Sequence, residues 1–298
     1  MTPKSYIPWS QYGELIKIKQ TVLLLFTAVC TYLISAFQTS FIFMDFFWLV
    51  VALFFAIAGS TLLNMYLDRD IDALMERTKH RALPNMMVRP FTVLIHGIIF
   101  TGIGLVISMI LLNYITLIII FLGFFFDVVV YTMLLKRRTR FSIIFGGIAG
   151  GLPAVAGRVA VTGRIDLLAI LFGLFVICWI PLHILSLALI PRNLEGYRQA
   201  NVPMWPVVSN PASTRRIIAF SALLSALIIV PVSYLLGIHI LVFLPQLVFS
   251  LYLAYLASSI IVHPSEVKTF KLFKFASMFM VISFLYLCVG LVLSSFLG

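Results

Sequence analysis

Of ten acidic residues in this chain of 298, four fall within nine positions: Asp68, Asp70, Asp72 and Glu76. Asn64, Asp68 and Asp72 recur at every fourth position, so on a continuous helix they share one face at about 6 Å per step. Carboxylates so placed repel one another unless a cation lies between them. Oxygen-only ligands suit a hard divalent ion, and Mg2+ keeps several waters and binds through carboxylates plus substrate phosphates. Basic residues crowd the same stretch (Arg69, Arg77, Lys79, Arg81), and a second set follows at Lys136, Arg137 and Arg138. Carboxylates beside so many cations fit a metal-bridged diphosphate better than a carboxylate cage closed on itself. The plain alternative is a solvated surface of ion pairs and lipid-headgroup contacts. Two ionisable side chains, Asp127 and His183, stand inside apolar runs, which makes each a functional candidate by default. For each the competing reading is a hydrogen bond between helices.

The elements that must position these groups follow from composition. The chain is 62% hydrophobic and 10% charged, with a mean hydropathy of +1.12, against about 45–50% and about 25% in soluble proteins. Too little polar surface remains to cover a molecule in water, which excludes a soluble domain, a disulfide scaffold and a disordered chain. Cys30, Cys178 and Cys288 lie far apart in apolar runs, with neither metal-ligand nor disulfide spacing. A spanning helix needs about 20 apolar residues. Such runs occupy roughly 21–37, 41–64, 91–112, 114–135, 141–161, 166–190, 216–236, 238–262 and 273–296. They are continuous rather than alternating, which excludes a β-barrel. An all-α polytopic membrane protein of nine transmembrane helices is expected, as one domain over residues 1–298 without a cleavable signal peptide. Residues 10–19 read as a short interfacial helix with Lys17 and Lys19 toward lipid headgroups.

The formal charge of +11 is then a matter of sidedness, and no nucleic-acid partner is expected. Nineteen of the 21 basic residues fall on one side of such a topology; Arg158 and Arg164 do not. The positive-inside rule places the N-terminus and the acidic cluster at the cytoplasmic face, in the plasma membrane of the cell. A transporter would show broken helices and polar groups near the midplane, whereas here the polar cluster is at one face.

The string NMYLDRDIDALMERTKHRALP, residues 64–84, resembles the first acidic motif of the intramembrane prenyltransferases, the UbiA superfamily. Three stretches resemble its heme O synthase branch, the protoheme IX farnesyltransferases: 131–163 (YTMLLKRRT, then GGIAGGLPAVAGRVAVTG), WIPLHILSLAL at 179–189, and EGYRQANVPMWPVV at 195–208. The matches run from about residue 60 to 208, and the rest agrees only in hydropathy. The chain departs from that branch at Gly196, where an Asp is usual, at Leu182 (a second proline), at Arg158 (a tryptophan) and at Ser142 (an asparagine). Asp127 is an addition.

The resemblance implies a UbiA-type helical bundle in which Mg2+, held by Asn64, Asp68, Asp72 and Glu195, binds an isoprenyl diphosphate. Glu195 would be the one carboxylate left in the second acidic motif. Arg69, Arg77, Lys79, Arg81, Lys136, Arg137 and Arg138 would bind the diphosphate. Its loss leaves an allylic cation for an electron-rich acceptor. In the heme branch the donor is farnesyl diphosphate and the acceptor a vinyl group of protoheme. His183, Tyr131 and Asp127 would then line the acceptor site, with His183 able to ligate or orient heme iron. Elsewhere in the superfamily the acceptor is a quinone precursor, an aromatic ring or a lipid glycerol. Phe124, Phe125 and Phe126 are further candidates for the cavity wall. The helix-5 glycines Gly146, Gly147, Gly150 and Gly151 read as close packing positions.

Overall fold

A computed structural model describes residues 6–297; Lys4, counted above among the basic residues, lies outside them. A short helix, α1 (Trp9–Leu15), precedes α2 (Ile18–Gln38) and α3 (Phe43–Leu67). After α3 come the small α4 (Arg69–Leu74), then α5 (Pro90–Leu111), α6 (Tyr114–Leu135) and α7 (Ser142–Thr162). The chain continues through α8 (Leu167–Ala188), two short helices α9 (Pro191–Gln199) and α10 (Trp205–Val208), and α11 (Pro211–Leu235), α12 (Ile240–Val262) and α13 (Glu266–Ser294). Nine helices among the described residues are long and apolar enough to cross a membrane, and each coincides with one of the runs read from the sequence. The last begins at Glu266 rather than near 273, because Ser265 caps it by accepting from the Lys268 amide at 3.1 Å. Two of its early lysines set their ammonium groups over aromatic rings, Lys271 over Tyr252 at 5.8 Å and Lys274 over Phe270 at 4.6 Å.

Close helix packing comes from glycine. A Cβ on Gly104 of α5 would stand 2.6 Å from the Ala52 carbonyl and the Ala56 amide of α3, so these helices touch backbone to backbone. One on Gly151 of α7 would meet the Gly173 carbonyl of α8 at 2.7 Å. Around α8 and α13 the core is aromatic, with Phe175 packed edge-on against Phe284 at 5.4 Å. Large apolar side chains such as Ile98, Val106, Met109 and Ile110 stay exposed; in water they would form an aggregating patch, and in a bilayer they face lipid.

At the bundle end away from the acidic motif, Arg158 of α7 is 8% exposed. Its guanidinium donates to Asp166 at 2.7 and 3.1 Å and to Gln38 at 3.0 Å. Asp166 also caps α8 by accepting from the Ala169 amide at 2.9 Å. Three helix ends are tied together there. Partial burial pushes the Asp166 carboxyl up, but the hydrogen bonds from Arg158 and Ala169 outweigh it and hold it below the ordinary carboxylate range.

Candidate active site

The acidic motif sits where α3 hands over to α4. Asp68 leaves helical geometry (φ −93°, ψ 2°), yet its amide still bonds the Asn64 carbonyl at 2.9 Å and the Asp72 amide bonds that of Asp68 at 2.8 Å. The four-residue register therefore survives the bend, and Asn64, Asp68 and Asp72 are all buried, at 7%, 6% and 6% exposure. Each carboxylate meets one cation through one oxygen: Asp68 pairs with Lys136, and Asp72 with Arg81 at 2.7 Å. Burial works against the Lys136 ammonium, and the contacts with Asp68 and Asp72 help outweigh it, so its pKa is raised above the usual lysine value.

Opposite the motif, α6 does something hydrophobic periodicity cannot show. From Phe125 to Leu135 it opens into a π-helix. The Lys136 amide bonds the Tyr131 carbonyl at 2.8 Å and the Thr132 hydroxyl reaches the Asp127 carbonyl at 3.0 Å, both five residues back. On a regular α-helix Lys136 would stand about two and a half turns beyond Asp127, on the opposite face. The wider turn puts both against α3, Lys136 on Asp68 and Asp127 on Asn64, whose amide nitrogen donates to it at 2.8 Å. Long π segments are rare and concentrate at functional sites.

The other expected cations divide. Arg137 grips Asp70 with two bonds of 2.7 Å and also caps the Leu67 carbonyl at 2.8 Å, an arrangement that closes the end of α3. That grip holds the Asp70 carboxyl down at about 2. Arg69 bonds the Tyr66 carbonyl at 2.6 Å and lies over its ring, and Lys79 pairs with Glu76 at 2.5 Å. Arg77 and Arg138 are exposed. Glu195 is not gathered with Asp68 and Asp72: among the described residues no three His, Cys, Asp or Glu side chains converge as a metal cage. The reason is helical phase. α9 buries Asn193 and Gly196, leaving Glu195 exposed beside Gln199 at 3.2 Å and Arg198 at 3.8 Å. The inward position is the one occupied by Gly196, against Met75.

Sequence reasoning misplaced Lys17. It is not directed to headgroups; it stands at the α1–α2 junction in the left-handed conformation (φ 47°, ψ 59°), partly buried. A non-glycine residue there stores about 1–3 kcal/mol of strain, which surrounding structure must hold. Burial, then the positive charges of Arg81 and Lys136, pull its ammonium down to about 8 against the opposing pull of Asp68 and Asp127. Its electrostatic neighbours are thus those of the acidic motif, a juxtaposition that no local pattern announces. Lys19 lines the cavity below.

That cavity, about 450 Å3, runs between α2, α3, α6, α7 and α8, within the usual range for ligand sites. Asp127, Tyr131 and His183 all line it. Of the aromatic run on α6, Phe124 reaches the wall, while Phe125 is exposed and Phe126 does not line it. Gly147 and Gly151 of α7 face α8; Gly146 and Gly150 line the cavity, where a Cβ on Gly146 would press the Tyr131 ring at 3.1 Å and one on Gly150 would collide with Ile180 of α8. His183 lies in a stretch of α8 where a proline interrupts the hydrogen bonding of a continuous helix. Pro181 cannot donate, and the Ser221 hydroxyl of α11 inserts beside it, accepting from the Leu182 amide at 3.2 Å and donating to the Cys178 carbonyl. Leu182 thus supplies an amide that a second proline would lack.

The donor set fits Mg2+. Asp68 Oδ1 is buried without a hydrogen bond, an orphan costing about 1–3 kcal/mol. Asp72 likewise bonds through one oxygen only, and the Asn64 carbonyl oxygen takes a single bond, from Thr132 at 2.9 Å. Three neighbouring oxygens thus retain lone pairs, and too few carboxylates converge to complete a cage without substrate oxygens.

A profile of the UbiA prenyltransferase family matches residues 23–292. The chain belongs to that family. Two curated relatives named protoheme IX farnesyltransferase are similar to it. The one from Archaeoglobus fulgidus is 36% identical over 282 residues, 94% of this chain and 97% of that protein. The one from Hyperthermus butylicus is 45% identical over 202 residues, 66% and 65% of the two lengths. Among solved structures, a UbiA homologue from Archaeoglobus fulgidus bound to DMAPP and Mg2+ shares the fold with a TM-score of 0.68 and 14% identity, covering 93% of this chain and 99% of that one. This UbiA enzyme is therefore an integral membrane prenyltransferase, with its buried acidic motif joined to the cavity lining through the Asn64–Asp127 hydrogen bond.

Proposed function

We propose that the chain, acting as one domain over residues 1–298, transfers a farnesyl group from farnesyl diphosphate to a vinyl group of protoheme, giving heme O and diphosphate. The observation that carries this is a single cavity with two chemically distinct ends. At one, the acidic motif touches the cavity lining, Asn64 on Asp127 and Lys136 over the Tyr131 ring; at the other, His183 of α8 stands on the wall. The protoheme IX farnesyltransferase relatives support the acceptor, and the DMAPP- and Mg2+-bound homologue supports the donor chemistry. Asn64, Asp68 and Asp72 would hold Mg2+, which supplies positive charge to the leaving diphosphate oxygen.

The residues of the chain do the rest. Lys136, Arg81 and Lys17 meet the diphosphate beside the acidic motif and stabilise the charge that grows on it, in a site poor in water. Apolar walls from α3, α6 and α7 hold the isoprenoid tail and keep water from quenching the allylic cation. His183, Tyr131 and Asp127 hold the acceptor. With the basic end of the bundle at the cytoplasmic face of the plasma membrane, a soluble diphosphate and a membrane-dissolved acceptor both reach the cavity. Purified enzyme should be assayed with a panel of prenyl diphosphates and protoheme, read by product mass. Farnesylated heme is expected with Mg2+ and its absence with excess chelator or in Asp68→Ala and Asp72→Ala, a loss of roughly 10²–10³-fold or more. Prenylation of a phenol, a quinone precursor or a lipid glycerol instead of heme would overturn the acceptor, and full activity in chelator would overturn the metal.

A further inference from the structure

His183 is held on three sides. Its imidazole lies between the Trp179 indole, stacked at 4.5 Å, and the Phe273 ring at 4.8 Å. Trp179 is itself fixed, its Nε1–H donating to the Ala276 carbonyl of α13 at 2.6 Å. The third contact is Ser277 of α13, whose Oγ stands 3.2 Å from His183 Nδ1 and 2.9 Å from the Phe273 carbonyl. A hydroxyl has one proton to give, and a carbonyl can only accept. The Ser277 proton therefore goes to the Phe273 carbonyl, and its oxygen is left to accept from Nδ1. It follows that Nδ1 carries the imidazole proton and Nε2 keeps its lone pair. Nε2 has no hydrogen bond among the described residues, and His183 lines the cavity.

We propose that Ser277 is a positioning residue: it locks His183 in the Nδ1–H tautomer so that Nε2 offers its lone pair to the iron of a metalloporphyrin acceptor. This rests on the protoheme reading above. Metal-ligating histidines characteristically donate their other ring N–H to an acceptor, which fixes the ring and raises its basicity. The aromatic clamp restrains the imidazole before the acceptor arrives, which is the pre-organisation a ligand site needs. α13 shows no family motif in the sequence, yet it supplies both Ser277 and Phe273.

The test uses the full-length protein in detergent, titrated with protoheme and separately with farnesyl diphosphate and Mg2+. Wild-type protein, Ser277→Ala, Ser277→Thr and His183→Ala are compared. Ser277→Ala is expected to weaken heme binding roughly 10- to 100-fold and to lower the iron–histidine stretching frequency of the ferrous complex. Ser277→Thr keeps the hydroxyl and should stay close to wild type. Donor binding should stay within about twofold in all three variants, because the diphosphate is held by other groups. Wild-type heme affinity and frequency in Ser277→Ala, with both lost in His183→Ala, would overturn the role of Ser277 while sparing that of His183. Loss of donor binding together with heme binding in Ser277→Ala would mark a folding residue and equally overturn the proposal. A wild-type protein without an iron–histidine band, or one unchanged in His183→Ala, would instead bring down the acceptor assignment and this inference with it.

Discussion

At the residue scale the site is a balance of buried charges, and two substitutions read that balance. Lys17 is charged below about pH 8 and neutral above it, because burial and the neighbouring Arg81 and Lys136 disfavour its ammonium. Lys17→Ala should weaken donor binding by about tenfold or more, the worth of one charge-assisted hydrogen bond. Wild-type donor affinity should fall as pH rises through that value, whereas Lys17→Arg, which stays charged, should retain affinity at alkaline pH. Equal pH profiles, measured by titration calorimetry, would exclude Lys17 from the diphosphate cradle. The second acidic motif gives a contrasting pair. Glu195 is on the exposed face of α9, so Glu195→Gln should change Mg2+-dependent donor affinity by less than about twofold, the usual reach of an exposed charge. A Cβ at Gly196 would stand 3.5 Å from the Met75 side chain, an ordinary contact. Gly196→Asp should therefore fold and lower the Mg2+ concentration needed for half-maximal donor binding. An unchanged Mg2+ requirement would show that this inward position does not reach the metal.

At the scale of elements, the decisive feature is the π segment of α6. Its wide turns let Asp127 and Lys136 serve the same helix, α3, through Asn64 and Asp68. Deleting Val129 leaves Lys136 eight residues beyond Asp127, so wherever the segment rewinds as α-helix the two stand about 80° apart instead of on one face, and Lys136 is turned off Asp68. The deletion should abolish donor binding as thoroughly as Lys136→Ala while circular dichroism shows unchanged helix content. Retained donor affinity would mean that the π segment is incidental to the cradle. The proline-containing stretch of α8 works similarly at the His183 wall of the cavity. There Pro181 and the inserted Ser221 hydroxyl shape the turn that carries His183.

Over the whole molecule, the two ends of the bundle do different work. The acidic-motif end stores unpaired and strained groups, with Asp68 Oδ1 unsatisfied and Lys17 left-handed. The far end is a satisfied knot of Arg158, Asp166 and Gln38. Asp166→Asn keeps a capping oxygen for α8 but strips Arg158 of its counter-charge. The cost should be on the order of 2 kcal/mol, below the ~3–5 kcal/mol of a fully buried pair because the Asp166 side chain keeps 22% of its surface exposed. The Asp166 pKa is lowered on folding, so its contribution is complete above the ordinary carboxylate value of about 4 and is lost as pH falls through the folded value. A lower melting temperature in detergent, with a weaker acid dependence than wild type and donor binding retained, is the expected result. An unaltered melting curve would show that the knot adds nothing to stability.

The sequence by itself determined the membrane class, the nine spans and the register of Asn64, Asp68 and Asp72, because each depends on local rules: about 20 apolar residues per crossing and 3.6 residues per helical turn. It also carried the family, since the motif around residues 64–84 is contiguous. What it could not decide were the pairings made between elements. Lys136 on Asp68, Asp127 on Asn64 and Ser277 on His183 join positions between 63 and 94 residues apart. Lys17 turns inward through a single left-handed residue, and Glu195 turns outward because its helix buries the neighbouring Gly196. Such outcomes rest on helical phase and backbone winding set by packing across the bundle, where one residue of π-helix or one αL turn re-aims a charge that hydropathy alone leaves undirected.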